Sequence, residues 1–168
     1  VAAASKVHGE GHPEHATALV WLAMLRRTQN GYEESERLLL RALAIREKAL
    51  GPDHTLVGSA LNDLGYTANQ RGRYAEALTY YTRSLRIAEK TDASEQALVA
   101  LRLNNIASVY DRLGRYGEAE TAYKRALAIR EKVLGPDAPD VAVTLNNLAL
   151  VYETTGRNAD AEQAHRRS

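Results

Sequence analysis

The sequence predicts an all-α protein, an α-solenoid of antiparallel helix pairs. Three observations support this prediction. The 168 residues are rich in Ala and Leu and contain only four Pro, a composition that favours helices. The segment RALAIREK occurs at 41–48 and 125–132, and the related RSLRIAEK lies midway at 83–90, so the chain repeats every 42 residues. Within each repeat, apolar residues follow the i, i+3, i+4, i+7 spacing of a helix face.

Each repeat is expected to hold two helices. In the third repeat, the stripe of the first helix consists of Leu103, Ile106, Ala107 and Tyr110. Gly114 is expected to end this helix, because glycine readily adopts the left-handed conformation of a C-terminal cap. The second helix begins near Tyr116 and is closed by GPD at 135–137, where Asp137 is available to cap the next helix. Short loops make the paired helices antiparallel, and each pair buries its apolar face by stacking on the next.

The period divides the chain into one array with five parts. These are the tail of a preceding repeat at 1–12, three repeats at 13–54, 55–96 and 97–138, and a truncated fourth repeat at 139–168. Both ends fall within a predicted helix and lack a clear polar capping face. We therefore expect the array either to continue in a longer protein or to associate through its ends, near Val1–His8 and Asp160–Ser168.

Composition excludes several classes of function. Lys and Arg number 22 and Asp and Glu 21, so the net charge of +1 argues against nucleic-acid and membrane-surface partners. The chain has no cysteine, no run of eighteen apolar residues and no recognisable signal peptide, and a cytoplasmic location is the expectation. We find no glycine-rich phosphate loop and no nucleophile with a placed base. No enzymatic activity and no cofactor are therefore expected.

Three histidines lie close together near the start of the chain, in the segment HGEGHPEH. His12 is equivalent by the repeat to His54 in the next interrepeat loop, and His15 is equivalent to Val57. The repeat places His8, His12 and His15 on a helix end, a loop and a helix start. We interpret them as surface histidines and predict no metal site, with a weak divalent-metal site as the alternative.

Charged residues on the second helices also recur. One series consists of Arg41, Arg83, Arg125 and Arg167. These residues could form a track for anions, but we favour solvated salt bridges to nearby carboxylates, because such surface pairs are common and weak. The segment REK at 46–48 and 130–132 is typical of helix-surface charge patterning.

The third repeat reads Leu103-x2-Ile106-Ala107-x2-Tyr110, followed by Ala119-x3-Tyr123-x2-Ala126. This pattern resembles the tetratricopeptide repeat (TPR). The 42-residue period, with RALAIREKALGPDH at 41–54 and LNNLALVY at 145–152, is similar to the longer repeats of kinesin light chains. The resemblance implies a right-handed superhelix whose first helices line a concave groove. It also implies a scaffold or adaptor that binds other proteins.

The expected groove residues lie on the first helix of each pair, on the face turned away from its packing stripe. In the second repeat they are Asn62, Tyr66 and Asn69. In the third they are Leu101, Asn104, Ser108 and Asp111. In the fourth they are Asn146, Leu150 and Glu153, with Val143 beside them. In the first repeat the equivalent residues include Met24 and Arg27.

Asn62, Asn104 and Asn146 recur at one position per repeat and form a ladder. A carboxamide both donates and accepts hydrogen bonds, so it can bind the backbone of an extended peptide without reading its side chains. Asparagines at this position do so in kinesin-light-chain-like grooves. Alternatively, they pair with neighbouring helices and only hold the stack together.

The rest of the expected lining is mostly neutral or apolar. Arg27 is its only cation, which argues against a clamp for a C-terminal carboxylate. We expect an extended peptide with apolar side chains, basic toward Asp111 and Glu153. The sequence thus predicts a peptide-binding adaptor module, and the alternative is a structural segment that self-assembles through its uncapped ends.

Overall fold

The computed structural model describes residues 12–90 and 95–168, and every regular element in these ranges is helical. The helices are α1 (Pro13–Thr28), α2 (Tyr32–Leu50), α3 (Thr55–Gln70), α4 (Tyr74–Lys90), α5 (Gln96–Arg112), α6 (Tyr116–Leu134), α7 (Pro139–Thr154) and α8 (Asn158–Arg167). The predicted all-α fold of helix pairs is confirmed. The predicted tail at 1–12 and the end at Val1–His8 lie outside the described residues, except for His12. None of the described helices is both long and apolar enough to cross a membrane.

The helix ends follow the repeat closely. Gly114 has a φ of 70° just after α5, and α6 begins at Tyr116, both as predicted. The cap expected from Asp137 is wrong, because the N-cap of α7 is Ala138, which makes no side-chain capping bond. Two repeats earlier, the N-cap of α3 is His54, whose Nδ1 accepts a hydrogen bond from the backbone N–H of Leu56 at 3.1 Å. The interrepeat histidine therefore satisfies a helix N-terminus.

Two compact units divide the chain, at Val1–Ile87 and Ala88–Ser168. In the first, α2 packs against both α1 and α3. The core of this unit includes Ala23, Leu39, Val57, Leu61, Leu64 and Ile87. In the second, α6 packs against α5 and α7, and α7 packs against α8. The core of this unit includes Ala107, Ala119, Tyr123, Leu148, Val151 and Tyr152.

Within the pair α3–α4, a small residue of the first helix lies against an aromatic ring of the second. A Cβ atom added to Gly65 of α3 would lie 2.7 Å from the ring of Tyr81 on α4, and Tyr81 is buried. The second unit uses Ala107 and Tyr123 at the same two positions, and both belong to one core cluster. The small residue thus sets how closely the two helices approach.

Two arginines predicted to lie on the surface are buried instead. Arg46 and Arg130, the first residues of the two REK segments, are 4% and 5% exposed. Arg46 donates from Nη1 to the carbonyl of Leu56 at 2.9 Å, and Arg130 donates to the carbonyl of Asp140 at 2.8 Å. Burial lowers the pKa of both guanidinium groups. Each arginine therefore ties a second helix to the first turn of the helix that follows it.

Three members of the recurring series Arg41, Arg83, Arg125 and Arg167 form salt bridges, as predicted. Arg83 pairs with Glu47, Arg125 with Glu89 and Arg167 with Glu131. Each pair joins an arginine to a glutamate 36 residues earlier, so it connects consecutive second helices. The side chains remain about one-third to one-half exposed, and such pairs stabilise a fold only slightly.

His15 is not a surface histidine, which corrects the sequence-based interpretation. Its side chain is 1% exposed within α1, and neither ring nitrogen has a hydrogen-bond partner among the described residues. The equivalent positions in the later repeats hold Val57, Val99 and Val141, and all three are buried. The first repeat therefore carries a polar ring at a position that is apolar elsewhere, at a cost in stability.

We expect His15→Val to raise the free energy of unfolding by about 1–3 kcal/mol, because it removes two unpartnered polar atoms from the core. The change is measured as a shift of the urea midpoint at pH 7.5, followed by circular dichroism. The matched control is His54→Val, which removes a capping acceptor and lowers stability by about 0.5–2 kcal/mol. A lower midpoint for His15→Val would contradict this interpretation.

Gly65→Ala should destabilise the first unit by about 1–3 kcal/mol, because the added methyl group overlaps the buried ring of Tyr81. Gly117→Ala is the control in a second helix, since an added Cβ there meets nothing within 4 Å. That change should stabilise the protein by about 0.5–1 kcal/mol, by lowering the entropy of the unfolded chain. Equal effects of the two substitutions in thermal unfolding would refute the close approach.

Candidate functional site

The first helices of the second unit, α5 and α7, contact each other and carry most of the predicted groove residues. Because the helices within each pair are antiparallel, α5 and α7 run in the same direction. Residues 42 apart therefore occupy equivalent places on the two helices. We define the first-helix face by Leu101, Asn104, Ser108 and Asp111 of α5 and by Val143, Asn146, Leu150 and Glu153 of α7.

On α7, the polar residues of this face are held by His165 of α8. Its Nδ1 atom lies 3.3 Å from Oδ1 of Asn146, and its Nε2 atom lies 3.1 Å from Oε1 of Glu153. All three side chains remain exposed to solvent. Asn146 and Glu153 thus lie on the same side of α7, in positions fixed by the second helix of their pair.

On α5, the equivalent contact comes from Tyr123 of α6. The hydroxyl groups of Tyr123 and Ser108 are hydrogen-bonded, and burial together with the nearby charge of Asp111 raises the pKa of Tyr123 to about 12. Tyr123 therefore stays neutral at physiological pH. Ser108 is partly buried, and its hydroxyl group is bonded to Tyr123 of the same repeat. It is therefore less available to a ligand than the exposed residues of the face.

Asp111 lies in the last turn of α5 and is partly buried. Burial raises the pKa of its carboxyl group, and the neighbouring charge of Arg112 lowers it by a smaller amount. The carboxylate is therefore desolvated without full compensation by a cation. Its equivalent in α7, Glu153, is exposed.

Apolar side chains of the first-helix face are unusually open to solvent. Leu101 is 36% exposed, Val143 is 51% exposed and Leu150 is 53% exposed. By contrast, the packing stripe of α7 is buried, with Leu145 at 2% and Leu148 at 4%. One side of α7 thus belongs to the core, while another presents aliphatic groups next to a carboxamide and a carboxylate.

The three asparagines of the predicted ladder lie in different surroundings. Asn62 is partly buried and Asn146 is exposed. The Oδ1 atom of Asn104 is buried and has no hydrogen-bond partner among the described residues, and the same holds for Oδ1 of Asn69. The repeat therefore places one carboxamide on each of α3, α5 and α7, but each one has its own local environment.

The first unit carries its own set of groove residues, on α3 and α1. Tyr66 is 38% exposed, and its hydroxyl accepts a hydrogen bond from Nε2 of Gln70 at 2.8 Å. The guanidinium of Arg27 lies 4.4 Å from the centroid of the Tyr66 ring and 3.7 Å from the carboxylate of Asp63. The only cation among the predicted groove positions is thus stacked on an aromatic ring and paired with a carboxylate.

The sequence did not lead us to the second-helix residues that contact the first-helix face. Tyr81, Tyr123 and His165 share one position of the 42-residue repeat, and only Tyr123 was assigned a place, as part of the repeat pattern. The polar atoms of Tyr123 and His165 reach the face. The signal was available in the sequence, because all three side chains combine an aromatic ring with a polar end.

No metal site accompanies these residues in the described part of the chain. Within residues 12–90 and 95–168, no three His, Cys, Asp or Glu side chains lie close enough together to hold a metal ion.

Solved structures with the same fold come from several proteins. The nearly identical kinesin-light-chain TPR-like repeats of Podosopora anserina match with a TM-score of 0.81 at 23% identity, over 99% of this chain and 79% of theirs. BtubC (BKLC) from P. vanneervenii gives 0.78 at 24% identity, over 99% and 69%. The apo form of RapI gives 0.83 at 22% identity, over 97% of this chain and 43% of that one. At these identities the likeness concerns the fold.

No curated protein matches this chain. The sequence model of the tetratricopeptide repeat family matches residues 14–90 and 97–168, which is most of the chain. This match agrees with the helix pairs, the small-residue contacts to aromatic rings and the structural neighbours. The chain therefore belongs to the tetratricopeptide repeat family.

Proposed function

We propose that this chain is a protein-interaction module that binds an extended peptide segment of a partner on the first-helix face. Tetratricopeptide repeats are in general scaffolds for protein partners and not enzymes. The observation that carries the proposal is the exposure of Val143 and Leu150 on either side of Asn146. Aliphatic groups beside a carboxamide are a suitable surface for a peptide, which offers both side chains and unpaired backbone groups.

The asparagines provide the proposed backbone contacts. An extended peptide presents N–H and C=O groups along its edges, and a carboxamide can bond to either kind. At Asn104 the oxygen is buried, so the amide nitrogen is the group that would donate to a peptide carbonyl. At Asn146 the exposed amide remains accessible beside His165. The proposal thus assigns Asn104 and Asn146 to the middle of the binding site.

The equivalent residues of the first unit form the corresponding surface there. We assign Asn62, Tyr66 and Asn69 to peptide contacts on α3, with Tyr66 as the exposed aromatic group. Because Arg27 is already paired with Asp63 and stacked on Tyr66, it is a poor receptor for a free carboxylate. This supports the expectation that the ligand is an internal segment of a partner and not a chain terminus.

Panning of a random peptide library against the protein tests the proposal, with Asn104→Arg as the counter-screen. The long cationic side chain should obstruct the first-helix face without entering the packing stripe of α5. We expect the enriched peptides to bind the wild type. Their affinity for the variant should be at least about tenfold lower, because the loss of a central contact has an effect of this size. Fluorescence anisotropy of labelled peptides gives the dissociation constants.

The matched control is Ala128→Arg, which adds the same charge at an exposed position of the second helix α6. Binding should be unchanged in this variant, and circular dichroism should show that both variants are folded. If no peptide is enriched, or if Asn104→Arg retains every peptide, the asparagines are architectural. Self-association would then be the better account, and sedimentation at several concentrations would measure it.

A further inference from the structure

The first-helix face is chemically different along its two edges. Near the beginnings of α5 and α7 it presents Leu101 and Val143, which are both exposed aliphatic side chains. In the last turns of the same helices it presents Asp111 and Glu153. The asparagines lie between the two edges, at Asn104 and Asn146. The face therefore has an apolar edge and an acidic edge, separated by a row of carboxamides.

A peptide that follows the asparagine row would contact both edges at once. Packed helices lie about 8–10 Å apart, and an extended chain advances about 3.3 Å per residue, so about three residues pass from α5 to α7. Side chains of an extended chain point alternately to opposite sides. Side chains at every second position of the peptide would thus contact the apolar edge, and the side chains between them would contact the acidic edge.

The acidic edge favours cations for two further reasons. Both carboxylates lie at helix C-termini, where the helix dipole adds negative potential. Asp111 forms no ion pair within 4.0 Å among the described residues, and its partial burial, which raises its pKa, shows that Arg112 does not compensate it fully. Glu153 is 50% exposed, and its side-chain neighbour is His165, whose Nε2 atom lies 3.1 Å from its carboxylate.

The neighbouring Leu150 fits the stem of a long basic side chain. It lies three residues before Glu153, on the same side of α7, and is 53% exposed. Lysine and arginine pack their methylene groups on apolar surface while the charged group stays near water. A basic side chain could therefore cover Leu150 and place its charge beside the carboxylate.

We propose that the second unit selects an extended segment of alternating character. Aliphatic side chains of this segment lie along Leu101 and Val143, and lysines or arginines lie along Asp111 and Glu153. This inference rests on the proposed function and adds the chemistry of the partner. An acidic segment would place like charges against the acidic edge, so it should be rejected.

Three labelled peptides of matched length test the inference by fluorescence anisotropy. The first is Gly-Ser-Val-Lys-Val-Lys-Val-Ser-Gly, in which valine and lysine alternate. The second replaces both lysines with glutamate. The third has the composition of the first in blocks, Gly-Ser-Lys-Lys-Val-Val-Val-Ser-Gly. We expect the alternating lysine peptide to bind at least about tenfold more tightly than either of the others at low salt.

Two sets of variants locate the two edges. Asp111→Asn with Glu153→Gln should remove most of the preference for lysine over glutamate, and so should raising the salt from about 50 to about 500 mM. Leu101→Ser with Val143→Ser should weaken the binding of the alternating lysine peptide and of the glutamate peptide by the same factor. The control for charge is Asp137→Asn with Glu162→Gln, which removes two carboxylates elsewhere in the unit and should leave the preference intact.

The outcomes separate the inference from the proposed function. If library peptides bind and are lost on Asn104→Arg, but the lysine peptide binds no better than the glutamate or block peptide, the inference is wrong and the proposed function stands. If the preference persists in Asp111→Asn with Glu153→Gln, the acidic edge is not its source, and the inference is again wrong. If neither library peptides nor the lysine peptide binds, both fail.

Discussion

The close contact between the two helices of each pair is the interaction on which the rest of the structure depends. In the pair α3–α4, Gly65 lies against the buried ring of Tyr81, and Ala107 and Tyr123 hold the same two positions in the pair α5–α6. This contact fixes the spacing of the pair and the rotation of each helix about its axis. Once the rotation of each helix is fixed, its packing stripe is buried in the core. The first-helix face is the side of the same helices that stays exposed to solvent.

The repeat position that holds Tyr81, Tyr123 and His165 also positions side chains of the first-helix face. Tyr123 reaches Ser108 through its hydroxyl group, and His165 reaches Asn146 and Glu153 through its two ring nitrogens. A binding surface needs side chains whose positions are set before the ligand arrives, because ordering them afterwards costs affinity. The repeat therefore combines packing and positioning in one residue. In the last pair that residue is a histidine, which is more polar and more exposed than the tyrosines.

The period of 42 residues made the fold predictable from the sequence. Helix order, the start of α6 and the turn at Gly114 all followed from aligning the repeats. Apart from the cap expected from Asp137, the errors concern residues that depart from their usual burial. Arg46 and His15 are polar residues at buried positions, and only the three-dimensional neighbours reveal that a backbone carbonyl receives the arginine and that nothing described receives the histidine.

The candidate site was predictable in outline for the same reason. Exposure of Leu101 and Leu150 follows from the helix face that the repeat leaves free. What the sequence could not provide is the local state of each asparagine, because Asn104 and Asn146 share a repeat position but not their neighbours. Those neighbours are set by contacts between helices, such as the one from His165. Alignment of the repeats thus predicts where each asparagine lies on its helix, and the packing of the helices determines which groups surround it.

The most direct test of the central claim is the NMR spectrum of the asparagine side-chain amides during titration with a peptide enriched in panning. The account predicts saturable shifts of the Asn104 and Asn146 amide resonances, while those of the adjacent Asn105 and Asn147 change little. Shifts confined to residues of the second helices, or the same shifts in Asn105 and Asn147, would contradict a peptide site on the first-helix face.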